Sequence, residues 1–154
     1  MISTPEDVSD TRAIFDAVRT QLAAEGLPYD DSVPLGIMIE TPAAAVTSDL
    51  LARQAAFFSI GTNDLTQYML AADRTNPAVE SYYQPDSEAV RRMVRLTLQN
   101  AAEAGIPCSI CGESAAVPSM AEAYVRMGAR YLSMAAPSLP LVKQWLMATD
   151  LTAE

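Results

Sequence analysis

The sequence predicts an α/β protein of parallel β/α units, half of a (β/α)8, or TIM, barrel. Three observations lead there. Short apolar runs at 35–39, 57–60, 107–110 and 131–134 alternate with stretches of helical composition. Strict alternation of this kind implies parallel pairing through helical crossovers. Four such units are half of a closed barrel, which takes about 250 residues, and this chain has 154.

Each element has its own reason. Thr4-Pro5-Glu6-Asp7 reads as a helix start, with Thr4 as cap, proline in the first turn and acids at the positive end of the dipole. That helix carries Val8, Ile14, Phe15, Val18 and Leu22 on one stripe and stops near Gly26. Leu27 to Pro34 is expected as loop, Leu35 to Ile39 as the first strand ending at Glu40, and Ala43 to Gln54 as helix after Thr41-Pro42. Phe57 to Ile60 forms the second strand, and Thr62 to Gln84 is expected as mostly loop with a helical turn around Leu65 to Leu70. Asp86 or Ser87 caps a long helix holding Val90, Met93, Val94 and Leu98 and ending near Gly105. Pro107 to Ile110 is the third strand, Ser119 to Met127 a helix closed by Gly128, Tyr131 to Met134 the fourth strand, and Ser138 or Leu139 to Ala148 the last helix. The eight methionines are expected as core filling. The opening helix has no strand before it, so Met1-Ile2 reads as the stub of one, and residues 1–154 as a single partial barrel domain.

Composition narrows the chemistry. Half the residues are hydrophobic and 19% are charged, as in an ordinary globular protein. A net charge of −9 argues against nucleic acid or an anionic membrane as partner. No apolar run approaches the roughly 20 residues of a spanning helix, and the N-terminus lacks a basic region followed by an apolar one. With only two cysteines, the expected setting is reducing and cytoplasmic. Histidine is absent, which excludes Ser-His-Asp and Cys-His catalysis from this chain.

The chemistry-bearing residues gather at strand ends. Glu40 and Asp64 each end or follow an apolar strand on successive units. A parallel sheet puts both carboxylates at one rim, where with water and a phosphate they suit Mg²⁺. Taken singly, Asp64 as a helix cap and Glu40 in a surface pair are the simpler alternatives. Asn63 could donate to a phosphoryl oxygen, beside backbone N–H groups of Gly61-Thr62, or could merely suit a tight turn. Arg74, in the loop after the second strand, suits bidentate capture of phosphate or carboxylate, against a surface pair with Asp73. Cys108 and Cys111 form C-x-x-C, but residues three apart on a strand face opposite ways, so a redox pair or zinc half-site is rejected. Cys108 is expected in the core. Cys111, at the strand's C-terminal end before Gly112-Glu113, points to the same rim and could act as nucleophile or proton donor, or simply be a packed thiol.

With these residues assembled, the chain resembles the C-terminal phosphoenolpyruvate-binding barrel of enzyme I of the phosphoenolpyruvate:sugar phosphotransferase system. The matching phrases are Gly36 to Ala44, Phe57 to Tyr68, Ala71-Ala72-Asp73-Arg74 and Cys111-Gly112-Glu113. Pyruvate phosphate dikinase and phosphoenolpyruvate synthase share the barrel, but Thr66-Gln67-Tyr68 and Ala71 to Arg74 look more like enzyme I. The resemblance implies a C-terminal half-barrel with Glu40 and Asp64 binding Mg²⁺, Asn63, Asp64 and Arg74 holding phosphoenolpyruvate, and Cys111 protonating the enolpyruvate carbon as pyruvate leaves. It also implies a histidine acceptor on a domain absent here, further arginines from the first half of the barrel, and a phosphocarrier protein reached through those domains. A lone chain is then expected not to phosphorylate itself, and to dimerise or associate with the missing half, since exposed strand edges are a liability. Two departures stand out. Ser114-Ala115-Ala116-Val117 replaces the usual Met-Ala-Gly-Asp after Cys-Gly-Glu, and Asp86-Ser87 replaces His-Pro before the long helix. The altered loop also fits a second class, a non-catalytic binding or regulatory module on the same scaffold.

Overall fold

The computed structural model describes residues 1–151; the last three positions of the expected 1–154 unit lie outside them. Four parallel strands, β1 (Ile37–Ile39), β2 (Phe58–Gly61), β3 (Cys108–Cys111) and β4 (Tyr131–Ser133), pair in sequence order. This is the sheet order of half a (β/α)8 barrel. Helix α1 (Pro5–Ala24) precedes β1. Helices α2 (Pro42–Val46) and α3 (Ser48–Ala52) follow it, and α4 (Thr62–Leu70) and α5 (Glu88–Glu103) connect β2 to β3. Helix α6 (Pro118–Arg126) leads to β4, and α7 (Leu139–Ala148) comes after it.

Strand periodicity decides what each face carries. Ile37, Ile39, Phe58, Ile60, Cys108 and Ile110 are buried on the helical side, against Leu51, Val90 and Val94. The alternate residues Met38, Ser59 and Ser109 point the other way, into what is the axis of a closed barrel. That inner face is open here: Met38 is 41% exposed and Tyr131 60%.

Capping follows the sequence closely. Thr4 and Asp7 make a reciprocal capping box, in which Thr4 Oγ1 accepts from the Asp7 amide and the Asp7 carboxylate accepts from the amides of Thr4 and Ser3. Ser87, rather than Asp86, caps α5 by accepting from the Val90 amide, while Asp86 pairs with Arg91.

The structure corrects five expectations. The stripe on α1 is not a core face: only Val8 is buried, Ile14 is 67% and Val18 48% exposed, and Phe15 lies under the Arg19 guanidinium. The stretch after Pro42 is two helices, because Thr47 (φ −103°, ψ 20°) leaves helical geometry. The expected loop after Gly61 is a nine-residue helix, α4, which buries Leu65 and Thr66; Pro77–Tyr82 then forms a 3-10 turn. Met1-Ile2 form no strand; Ser3 and Thr41 hydroxyls meet at 3.2 Å instead. The methionines are not uniformly core, since Met147 is 78% exposed.

Candidate active site

Parallel register brings the C-terminal ends of the strands together. Ile39 pairs with Ile60, and Gly61 pairs with Cys111, which in turn pairs with Ser133. Glu40, one residue past β1, therefore lands beside Gly61. A Cβ on Gly61 would sit 3.0 Å from Glu40 Cβ and Met38 Sδ and 3.1 Å from Glu40 Oε2. Any larger residue here would crowd the Glu40 and Met38 side chains. Burial first, and the nearby Asp64 carboxylate second, hold the Glu40 carboxyl above the usual range. A carboxyl held up by burial and by a second carboxylate beside it marks a site short of positive charge.

Asp64 is in the first turn of α4, and Arg74 reaches it from the following loop at 3.7 Å. Both side chains are partly exposed, so the pair adds little stability; its consequence is a guanidinium parked at the rim. The loop holding Arg74 is built locally. Gln67 Oε1 accepts from the Arg74 amide, and Asp73 accepts from the amide and hydroxyl of Thr75. Those two bonds keep the Asp73 carboxyl below its ordinary range.

Asn63 is held at both ends. Its Oδ1 accepts from the Glu113 amide at 3.0 Å, and its backbone carbonyl accepts from the Tyr83 hydroxyl at 3.1 Å. Because a backbone N–H needs an acceptor, the side-chain oxygen must face Glu113, which leaves the Asn63 amide nitrogen as the end able to meet an anion. Burial pushes the Tyr83 phenol up, so it stays a neutral donor.

Cys111 ends β3 with its sulfur on the inner face. Ser59 Oγ donates to Sγ, and the thiol donates to the Ile60 carbonyl, both at 3.4 Å. Cys108, three residues earlier, faces the helices, and burial pushes its thiol up to about 12. Both cysteines are free. Behind Cys111 runs a buried line of hydroxyls. Tyr124 donates to Ser114 (2.9 Å), Ser114 to Thr62 (2.7 Å), and Thr62 to the Cys111 carbonyl (2.9 Å).

Asn63 and Cys111 line one cavity of about 420 Å³, with Glu113 and Ser133. Arg74 lines a neighbouring one of about 350 Å³ with Tyr83 and, again, Glu113. A third cavity, of about 380 Å³, lies between β4, α6 and α7, but its lining is mostly apolar and it is away from the carboxylates. The reactive groups place the candidate site at the strand ends. The structure thus gathers all five expected residues at one end of the sheet. Sequence reasoning missed Gln67, Tyr83, Ser59 and the Ser114–Tyr124 pair. Ser59 and Gln67 lie inside the quoted phrase Phe57 to Tyr68, and Ser114 inside the departing loop; Tyr83 and Tyr124 carry no local signal.

Among the described residues no group of three or more His, Cys, Asp or Glu side chains could hold a metal by itself. Two carboxylates fit an ion that keeps water and substrate oxygens as its other ligands, as Mg²⁺ does.

The family described as PEP-utilising enzyme, PEP-binding domain, matches residues 1–151. The chain belongs to the PEP-utilising enzyme family. Its curated relatives include proteins named phosphoenolpyruvate-protein phosphotransferase. That of Cupriavidus necator is 40% identical over 147 residues, covering 96% of this chain and 25% of the relative. That of Streptococcus equinus is 40% identical over 150 residues, covering 97% and 26%. That of Haemophilus influenzae is 35% identical over 144 residues, covering 94% and 25%. The chain spans about a quarter of the length of these PEP-utilising relatives. No helix of the described residues is long and apolar enough to cross a membrane.

Proposed function

We propose that this chain forms the metal and proton-donor side of the phosphoenolpyruvate site of a phosphoenolpyruvate-protein phosphotransferase, working in the cytoplasm. The observation that carries this reading is the convergence of Glu40, Asp64, Asn63, Arg74 and Cys111 at one strand-end rim, in a family described by its PEP-binding domain. Glu40 and Asp64 would hold Mg²⁺, which when bound would neutralise phosphate charge. The Arg74 guanidinium and the Asn63 amide nitrogen bind the phosphorylated acid and keep it in place. Phosphoryl transfer depends mostly on such positioning and charge neutralisation. Cys111 faces the same cavity as Asn63, so its proton can pass to the methylene carbon of the departing enolpyruvate. A C–H bond forms there as the S–H bond breaks.

The phosphoryl acceptor lies elsewhere. The chain has no histidine, so a phosphohistidine has to come from another part of the polypeptide or another molecule, and a phosphocarrier protein from beyond that. The open inner face, with Met38 and Tyr131, and the free outer edges of β1 and β4 favour association with the other half of the barrel or with a second copy. The lone chain is not expected to turn over. The altered loop after Glu113 does not weaken the case against a non-catalytic module, because the Glu113 amide still anchors Asn63.

A chimera tests the proposal. The quarter of the Cupriavidus necator protein that this chain matches is replaced by this chain, and pyruvate release from phosphoenolpyruvate is followed. Release that needs Mg²⁺ and falls at least about tenfold in Cys111→Ala is the expected result. A folded chimera that neither binds phosphoenolpyruvate in calorimetry nor releases pyruvate refutes it.

A further inference from the structure

Ser59 and Cys111 lie diagonally across the β2–β3 pair. Ser59 is opposite Ser109 and Gly61 opposite Cys111, so both side chains fall on the inner face. Gly61 presents no side chain there, and a hydroxyl reaches the sulfur from Ser59, whose Oγ donates to Sγ at 3.4 Å. The neighbouring Ser109 behaves differently: its hydroxyl donates to the Phe58 carbonyl. The thiol proton meanwhile rests on the Ile60 carbonyl at 3.4 Å, turned back toward β2. Sulfur therefore has a donor aimed at it and an acceptor for its own hydrogen, both from one strand.

We propose that Ser59 is a further residue of the proton-donor centre, the hydroxyl that stabilises the sulfur once Cys111 has given up its proton. The inference rests on the donor role proposed for Cys111. To deliver its proton the thiol turns away from the Ile60 carbonyl toward the cavity. The S–H bond breaks, a C–H bond forms on the enolpyruvate carbon, and the electron pair stays on sulfur. The Ser59 O–H is already directed at that pair, and a hydrogen bond to an ionised acceptor is stronger than one to a neutral acceptor. Water then returns a proton to the sulfur. Ser59 gives up no proton in this sequence; it holds charge.

The test reads the sulfur directly and needs no turnover. The chain is treated with iodoacetamide, an uncharged alkylating agent, at about pH 7, and modification of the Cys111 peptide is timed by mass spectrometry. Cys108, buried and with its thiol pushed up to about 12, serves as the internal control for an intact fold. Ser59→Val and Ser59→Thr are the decisive pair, because they match in shape, both suit a strand, and differ in the hydroxyl. Loss of one hydrogen bond to the thiolate slows Cys111 alkylation roughly three- to tenfold in Ser59→Val and Ser59→Ala. Ser59→Thr stays within about twofold of the parent rate, less than one such bond. Parent-like alkylation in Ser59→Val, or alkylation as slow in Ser59→Thr as in Ser59→Val, overturns the proposal. Should the chimera with Cys111→Ala release pyruvate at the unsubstituted rate, the donor role fails, and the alkylation series still reports separately whether Ser59 governs the sulfur.

Discussion

Gly112→Ala is the sharpest perturbation of the rim. Gly112 has φ 115° and ψ 173°, a combination that only glycine adopts readily. A Cβ there would lie 2.3 Å from Thr62 Oγ1 and 2.9 Å from Asn63 Oδ1. Neither oxygen can step aside cheaply. Thr62 is fully buried, donating to the Cys111 carbonyl and accepting from Ser114, and Asn63 Oδ1 accepts from the Glu113 amide. The backbone strain costs about 2 kcal/mol, and displacing a buried hydroxyl from its partners about 2 kcal/mol more. The expected loss of roughly 4 kcal/mol is a large share of the 5–15 kcal/mol stability usual for a domain. Gly105→Ala is the control: φ is 71°, nothing lies within 4 Å, and the cost is the left-handed conformation alone, about 1 kcal/mol. Urea unfolding followed by circular dichroism compares the two. Equal losses, within about 0.5 kcal/mol, would show that packing of Gly112 against Thr62 and Asn63 is not what the structure describes.

The buried hydroxyl line makes an asymmetric prediction. Tyr124→Phe removes one hydrogen bond and costs about 1 kcal/mol, whereas Ser114→Ala strands the buried Tyr124 hydroxyl and costs about 2–3 kcal/mol, with the double variant no worse than Ser114→Ala. Strict additivity in urea titrations would contradict the connection. The amides of Ser3, then Thr4, hold the Asp7 carboxyl below its ordinary value of 3.8. Its contribution is thus present above that value and is lost as pH falls through the lower folded value. Asp7→Asn should therefore differ from the parent chain at about pH 6 and converge on it toward about pH 2; a constant difference in urea midpoint would be the wrong outcome.

Much of this architecture was legible because two periodicities announce themselves. Runs such as Phe57 to Ile60, which holds all of β2 but Gly61, are short and apolar as buried strands are, and their C-terminal neighbours Glu40, Asp64 and Cys111 had to share a rim once the sheet was parallel. Helix α4 was not legible. It begins with the polar Thr62-Asn63-Asp64 and ends at Ala71, which adopts the left-handed conformation (φ 51°) where a glycine would have marked the end. The stripe on α1 misled for a different reason: periodicity shows where a helix could bury apolar residues, and here only Val8 meets the core. Tyr83 reaches Asn63 from 20 residues away and Ser114 reaches Thr62 from 52, along paths that only the folded loops define. The departure at Ser114 looked like a lost feature of the family pattern; the structure shows it carrying a bond between Tyr124 and Thr62.

The central claim is that Glu40, Asp64 and Cys111 border one cation-binding mouth. Mn²⁺, a paramagnetic substitute for Mg²⁺, tests it in the chain by nuclear magnetic resonance. Bound between the two carboxylates, it should broaden the amide signals of Gly61, Thr62, Cys111 and Gly112 before any others, and Glu40→Gln should abolish that selectivity. Broadening centred on other surface acids, such as Asp30 or Glu122, with Gly61 and Cys111 left sharp, would contradict the account.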